Sequence, residues 1–428
     1  MAHTKVIKAA LLGAGTVGSG VYKLAKSMEQ DISNKTGAKL EITKVLVRNV
    51  EKDRPGIDRE VLTNQWNEIV NDPDIDIIIE LMGGIEPAKT YVLEALQAGK
   101  QVVTANKDLL AEHGQEVMSA ADKAVCDLQF EAAVAGAIPI IRPLKQSMAG
   151  NHITEVMGIV NGTTNYILTR MTEEGMDYAE ALAQATELGY AESDPTADVE
   201  GLDAGRKIAI MASLAFNSRV TFSEVYVEGI TKISADDIRY AREFGYVIKL
   251  LGVARNTTDG IEVKVHPMLI EENHPLATVR DAFNAVFVHG EAMDDAMFMG
   301  RGAGQMPTAS AVMGDVVDVM RNLVHGCCGR VGCSCFKELP VKNINETSSK
   351  FFMRIQAADR RGVLANIASV LGNNDVSIAE LAQKRRKGGT AEIVIITDTV
   401  EERHFNDAVA ILRGMSVVKE ISGVIRVY

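Results

Sequence analysis

The chain is short of cysteine and short of positive charge, and it has no long apolar run. Five cysteines in 428 residues do not make a disulfide framework, so a reducing, cytoplasmic setting is expected. Lysine and arginine total 45 against 57 aspartates and glutamates, a formal charge of −12. A nucleic-acid surface needs clustered cations, so the expected partners are small molecules. No apolar run reaches the about 18 residues that cross a bilayer, and the opening MAHTKVIK lacks the apolar core of a signal peptide. No membrane partner is therefore expected. What the chain does have is length: it exceeds what one hydrophobic core usually supports, so two or three domains are expected.

The apolar run Val6 to Leu12 leads straight into Gly13-Ala14-Gly15-Thr16-Val17-Gly18, after which Val17, Val21, Leu24 and Met28 recur at helical spacing. An ordinary strand-to-helix turn uses glycine too. Placed between a strand and a helix, however, these glycines let the backbone approach a pyrophosphate resting on the helix N-terminus. Gly13, Gly15, Thr16, Val17 and Gly18 are thus candidate cofactor residues. The next strand, Leu40 to Val47, ends in Arg48 and Asn49 rather than in an acid. Arginine pairs with the extra phosphate of NADP, so NADP is favoured, while nearby Glu51 keeps NAD open.

Strands at Ile75 to Leu81, Gln101 to Thr104 and Val125 to Phe130 alternate with helices from Pro87 and from Leu109. That rhythm predicts an α/β fold with a Rossmann-type, doubly wound parallel sheet. Its carboxyl edge would present Gly83, Gly84, Thr104, Asn106 and Lys107 to the cofactor. Lys107 is either a solvated loop residue or a substrate contact beside the nicotinamide.

The stretch LGYAESDPTADVEGLDAGRK, Leu188 to Lys207, places five carboxylates ahead of one lysine. With a helix from Asp198 onward, Asp203 and Lys207 share one face, as a site that holds an ammonium group and protonates a carbonyl requires. The plainer reading is a surface ion pair above a solvated acidic loop. Asn161-Gly162-Thr163-Thr164-Asn165, after the strand HITEVMGIV, reads as a helix N-cap or as a ligand contact at a helix N-terminus, and the two are compatible.

These motifs, with the later Gly300-Arg301-Gly302-Ala303-Gly304 through Pro307-Thr308, closely resemble the homoserine dehydrogenase family over Lys5 to about Asn322. The resemblance implies reversible, NAD(P)H-dependent reduction of L-aspartate 4-semialdehyde to L-homoserine, on the route to threonine, methionine and isoleucine. It makes Lys207 the general acid and base, with Asp203 orienting it. Glu192 would bind the substrate ammonium, Asp203 would add a second contact, and Lys107 would sit near the reacting carbonyl. Asn161 and Thr163 join the substrate set and Gly304 the cofactor set. Backbone oxygens of the segment matching Glu131, Val134, Gly136 and Ile138 would hold a monovalent cation such as Na+. The helical stripe Ala309, Val312, Met313, Val316, Val319, Met320 and Leu323 is expected to return to the nucleotide domain. Strands Tyr246 to Val253, Ile261 to Leu269 and Ala285 to His289 would build an open sheet in an α+β domain that pairs two subunits, giving a homodimer or homotetramer.

Lys350 to Tyr428 reads strand, helix, strand, strand, helix, strand, with a basic turn at Arg385-Arg386-Lys387-Gly388-Gly389. This βαββαβ order resembles the ACT domain, a module that binds amino acids at paired copies. The resemblance marks Asp359, Gly362, Val363 and Leu364 as a ligand loop, with Asn374 and Ile378 facing the other copy, and suggests threonine as effector. The alternative is a module that only mediates subunit contacts. The expected domains are 1–135 with 305–325 returning, 136–304, a cysteine-rich linker 326–349, and 350–428. The linker places Cys327, Cys328, Cys333 and Cys335 within nine residues beside His325, a cluster that the family pattern lacks; a soft-metal site, a redox pair and a plain glycine-rich linker all fit.

Two rival readings remain. One is a ligand sensor without turnover, against which the set Glu192, Asp203 and Lys207 counts. The other is a semialdehyde dehydrogenase with an acyl-enzyme cysteine, for which Cys126 has no histidine beside it in sequence. With no kinase domain expected ahead of Lys5, the fused two-enzyme arrangement is excluded on this reading.

Overall fold

The computed structural model describes residues 5–386 and 389–428. The opening MAHT, and Lys387 and Gly388 of the basic turn, lie outside the described residues. Among the described residues no helix is long and apolar enough to cross a membrane. Two compact units are formed. The first takes the chain up to Val156, Ala209–Glu224 and Asn284–Leu339; the second takes Met157–Ile208, Val225–Phe283 and Pro340–Tyr428. These units do not coincide with the four segments expected from sequence. Residues 136–156 and 284–304 fall in the first unit, where the turn at Gly136 is bound to the Arg301 carbonyl through the Ala137 N–H at 3.0 Å.

In the first unit, β1 (Lys5–Leu12), β2 (Ala38–Leu46), β3 (Leu62–Thr63), β4 (Ile75–Glu80), β5 (Gln101–Thr104) and β6 (Leu128–Gln129) form one sheet in the order β3-β2-β1-β4-β5-β6. All its pairings are parallel. This order reverses direction at β1, so a crevice opens beside the first glycine turn. The central strands β4 and β5 are buried along nearly their whole length, while β2 alternates buried and exposed positions at its start. The last strand is shorter than its apolar run suggests: Val125 closes the preceding helix in a left-handed conformation, φ 54°. The helix Gln305–His325 buries Ala309, Val312, Met313, Val316, Val319 and Met320 against Ile7, Leu11 and Val21 of this sheet layer.

The strands β7 (Ile153–Ile159), β8 (Tyr226–Val227), β9 (Tyr246–Thr257), β10 (Gly260–Glu271), β11 (Phe283–Gly290) and β12 (Asp294–Arg301) follow in the chain. The C-terminal strands are β13 (Ser348–Ala358), β14 (Ile378–Arg386), β15 (Thr390–Thr397), β16 (Val400–Glu401) and β17 (Val418–Val427). The second unit holds the order β9-β10-β17-β13-β15-β14. Within it, β17, β13, β15 and β14 are antiparallel neighbours backed by the helices Val363–Asn373 and Glu402–Gly414. This βαββαβ module joins the rest of the unit through a short parallel pairing, Met268 with Arg426 and Leu269 with Val427.

Two pairings are little glue, and buried charge does the rest. Arg354 on β13, 3 % exposed, donates Nε to Asp237 at 2.9 Å, Nη1 to Glu392 at 2.8 Å and Nη2 to Ser234 at 3.0 Å. Asp237 also closes the capping box of the helix Ala235–Glu243, and Tyr240 on that helix donates to Glu392 at 2.7 Å. Burial opposes the Arg354 charge, yet Asp237 and Glu392 outweigh it and hold the guanidinium above its ordinary pKa. A second cluster sets Arg426 on Glu402 at 2.5 and 2.8 Å and on Glu228 at 3.1 Å.

Breaking a buried pair from one side leaves uncompensated charge, which costs about 3–5 kcal/mol. Arg354→Leu is therefore expected to lower the unfolding free energy of this unit by about 3–5 kcal/mol in chemical denaturation followed by tryptophan-independent far-UV dichroism. Adding Glu392→Leu should return part of that loss. A single variant as stable as the parent would show that the cluster does not hold the module.

Candidate active site

The end of β7 and the helix Gly162–Glu174 meet at Asn161. Its backbone is extended (φ −128°, ψ 118°) and its Oδ1 accepts the Thr164 N–H at 2.9 Å, an N-cap. The same side chain works in the other direction too: Nδ2 donates to Asp198 Oδ1 at 2.7 Å and to Asp203 Oδ2 at 3.0 Å. The N-cap reading thus holds, and the same amide ties Asp198 and Asp203 to the start of this helix.

Asp203 and Lys207 stand one turn apart on the helix Leu202–Phe216. This helix begins at Leu202, not at Asp198 as the sequence suggests. Gly201, in a left-handed conformation with φ 81°, separates it from the short helix Thr196–Val199, and the Gly201 carbonyl takes the first helical bond from Gly205. The i,i+4 relation survives the shift. Lys207 Nζ donates to Asp203 Oδ2 at 2.6 Å and to the Val160 carbonyl at 2.7 Å, with the two side chains only 12 % and 11 % exposed. This is no solvated surface pair. An ammonium has three N–H bonds; two are fixed by the protein, and the third is left to point at a ligand.

Thr163 sits beside this set, but its hydroxyl donates to the Tyr190 carbonyl at 2.7 Å, tying the acidic loop to the helix N-terminus. Glu192 lies on that loop and is exposed. Asp198, which the sequence reading did not single out, is held above the usual carboxylate range by burial, with the Asn161 bond opposing and Asp203 adding to the rise. The loop pattern gave its position but not its partner. Lys249 was also not anticipated: it donates to Asn165 Oδ1 at 3.0 Å and to the Val279 carbonyl at 2.6 Å, and burial pulls it down to about 8. A lysine within the apolar run Tyr246 to Val253 was the available signal.

In the first unit, Gly13 has φ 98°, and a Cβ there would lie 2.9 Å from the Leu81 carbonyl. At Gly18 a Cβ would lie 2.1 Å from the Gly13 carbonyl, so no side chain fits. Gly15 caps the helix Thr16–Ser27, which includes Val17, and has open space where a Cβ would be. A phosphate can approach that helix end, so the residues fit a dinucleotide. Arg48 is exposed just past β2. Glu80, a buried acid at the end of β4 that sequence reading passed over, accepts the N–H groups of Met82 at 2.8 Å and Gly83 at 3.3 Å and the Thr104 hydroxyl at 2.6 Å. Burial raises its pKa. Asn106 donates to the Gly84 carbonyl at 2.6 Å and caps the helix that Lys107 opens. The Gly83-Gly84 turn is thus braced from both sides. Gly304, φ 120°, caps the helix Gln305–His325.

Glu131 is buried, and its carboxylate accepts the N–H groups of Ile140, Ile141 and Arg142 at 2.6, 2.7 and 2.9 Å. Its backbone oxygen accepts the Val134 N–H at 3.4 Å in a buried turn that runs through Val134, Gly136 and Ile138. In the C-terminal module, Gly362 caps the helix Val363–Asn373 with φ 84°. Asp359 and Leu364 flank that turn, Asn374 binds back to the Val370 carbonyl at 2.8 Å, and Ile378 opens β14. Cys126 is buried, and burial followed by Asp127 raises its thiol pKa, the reverse of what an acyl-enzyme nucleophile needs.

A parallel dinucleotide-type sheet, an acid-steered buried lysine and a βαββαβ module together define a nucleotide-dependent oxidoreductase with an added regulatory-type domain. Family models named "Homoserine dehydrogenase, NAD binding domain", "Homoserine dehydrogenase" and "ACT domain" match residues 13–131, 139–317 and 352–415. Homoserine dehydrogenases of Corynebacterium glutamicum and Bacillus subtilis are 47% and 44% identical to the chain; the first alignment covers 97% of this chain and 94% of the relative, the second 99% and 98%. A crystal structure of a homoserine dehydrogenase from Thiobacillus denitrificans superposes with a TM-score of 0.94 at 39% identity, over 99% of this chain and 98% of that one. The chain belongs to the homoserine dehydrogenase family, NAD(P)-dependent oxidoreductases acting on a CH–OH group.

The amide donors of Asn161 can be tested apart from its cap. Asn161→Ser keeps an N-capping oxygen but drops both bonds to Asp198 and Asp203, each a charged hydrogen bond of about 1.5–3 kcal/mol. Thermal stability should fall with those bonds, and in the folded variant kcat should fall by roughly tenfold or more. An unchanged kcat would remove Asn161 from the positioning of Asp203.

Proposed function

We propose that the chain interconverts L-aspartate 4-semialdehyde and L-homoserine, supplying the route to threonine, methionine and isoleucine, with NADP preferred over NAD. The observation that carries this reading is the Lys207 ammonium, held by Asp203 and the Val160 carbonyl with one N–H remaining. A reduced dinucleotide held by its pyrophosphate at the Gly13 to Gly18 turn would supply the hydride. Lys207 gives its third proton to the aldehyde oxygen as charge develops there, and it takes that proton back in the oxidation direction. Asp203 keeps the amine aimed while Asn161 fixes Asp203. Glu192 takes the substrate ammonium, Asp203 adds a second polar contact, Asn161 and Thr163 complete the substrate set, and Lys107 stabilises charge at the carbonyl. Arg48, at the end of β2, supports NADP because its guanidinium suits a 2′-phosphate.

A monovalent cation on backbone oxygens of Glu131, Val134, Gly136 and Ile138 belongs to the same proposal. Buried carbonyls in an irregular turn need partners. The division of labour expected from the sequence goes with it: nucleotide domain, substrate and dimerisation domain, linker and ACT domain, assembled as a homodimer or homotetramer in the cytoplasm.

Lys207→Ala tests the reading. In an assay of homoserine oxidation with NADP and with NAD, it should lower kcat by about 100-fold or more, the usual size of general acid and base catalysis, with cofactor affinity little changed. A near-normal kcat would transfer the role to Lys107.

The C-terminal module is proposed to bind L-threonine and to report it as inhibition. Gly362 and the helix N-terminus behind it suit an amino-acid carboxylate, and Arg354 links the module to the helix Ala235–Glu243. Millimolar L-threonine should lower activity and raise the melting temperature. Indifference in both would reject the effector.

A further inference from the structure

The segment that follows the helix Gln305–His325 carries four thiols, and they are not equivalent. Among the described residues no three His, Cys, Asp or Glu side chains gather as metal ligands, and all five cysteines are free thiols. Cys333 is exposed, and its neighbour but one, Cys335, is half-buried. The pair is held from several sides. The Cys333 N–H donates to Asp122 Oδ1 at 3.2 Å, its Sγ lies 3.6 Å from Met118 Sδ, and Cys335 Sγ donates to the Ser213 carbonyl at 3.5 Å. The two cysteines are two residues apart, and each sulfur shifts the proton affinity of the other.

The charges that face this pair are Asp122, Lys145 and Arg219. Lys145 is anchored to the Val331 carbonyl at 3.5 Å and Arg219 to the Leu110 carbonyl at 3.1 Å. Lys145 acts on both sulfurs and Arg219 on Cys335, while Asp122 opposes at Cys333. Interaction with Cys335 brings the Cys333 thiol down to about 6, against the cost of burial, while Cys333 and burial hold Cys335 above its ordinary value. Cys328, in contrast, is pushed up by burial to about 11. One exposed, acidified thiol with a second thiol two residues along the chain is an attacking sulfur with its resolving partner.

We propose that Cys333 and Cys335 form a redox-active C-x-C dithiol site whose co-substrate is a small-molecule or protein disulfide. The Cys333 thiolate attacks one sulfur of that disulfide; the S–S bond breaks and the departing thiolate takes up a proton. Cys335 then loses its proton and attacks the Cys333 sulfur, releasing the second thiol. Two electrons pass from the pair to the disulfide; of the two protons taken up by the departing thiolates one is lost by Cys335 and one comes from solvent, and a bond joins Sγ to Sγ within the segment. Closing that bond draws Cys335 off the Ser213 carbonyl. The site stands independently of the dehydrogenase reading.

Oxidised glutathione serves as the probe on the full chain, with mass spectrometry after thiol trapping. Trypsin releases Val331 to Lys337, a peptide that holds both cysteines and no other. The expected result is loss of two hydrogens on that peptide, reversed by dithiothreitol. Cys335→Ser should accumulate a glutathione adduct on Cys333, and Cys333→Ser should show neither adduct nor ring. Iodoacetamide at pH 7 should label Cys333 at least about tenfold faster than Cys328 in the unmodified chain, which requires no variant to fold. Oxidation first at Cys327 and Cys328, a lasting glutathione adduct in the parent, no mass change, or equal labelling rates would each overturn the proposal.

Discussion

The amine of Lys207 is pinned between a carboxylate and a backbone carbonyl, and much of the second unit is arranged so that this can happen. The carbonyl belongs to Val160, where β7 ends; the carboxylate belongs to Asp203, one turn earlier on the helix of Lys207 itself. Strand end and helix must therefore keep register. Asn161 enforces that register because one amide caps the following helix and binds Asp203 and Asp198 at the same time. Farther back, Asn165 donates to the carbonyls of Val279, Asp281 and Phe283 and accepts from buried Lys249, which fixes the same helix from its other side. A shift at any of these points would move the amine.

The C-terminal module is attached by a different kind of force. Two residue pairs of sheet and two buried arginine clusters join it to the rest of its unit. Buried ion pairs add little net stability over apolar packing, but they tolerate one geometry and penalise others steeply. Attachment of this kind specifies how β13 and β17 sit against the helix Ala235–Glu243. A ligand that moved those strands would act on the helix through Arg354 rather than through a soft apolar contact, which makes the cluster a candidate relay.

Much of the fold was legible in the sequence because it obeys simple periods. The glycine turn between strand and helix, the strands of the parallel sheet and the apolar stripe from Ala309 to Met320 follow from spacing alone, and the βαββαβ order follows from element succession. Asp203 and Lys207 were legible as a pair because they are local. What escaped was set by long-range partners. Glu80 reads as the last residue of a strand, and only the structure shows that it braces Met82, Gly83 and Thr104. β12 was not read as a strand because its alternating pattern leaves Met297 and Met299 exposed. The start of the Lys207 helix was misplaced because a left-handed Gly201 breaks a stretch whose composition suits a helix on both sides.

The account turns on where the third N–H of Lys207 points. A crystal structure of the complex with oxidised cofactor and L-homoserine answers that directly. The prediction is that Nζ lies within about 2.7–3.2 Å of the substrate hydroxyl oxygen while keeping its bonds to Asp203 and Val160. An amine directed elsewhere, with that oxygen more than about 4 Å away and another group donating to it, would contradict the account.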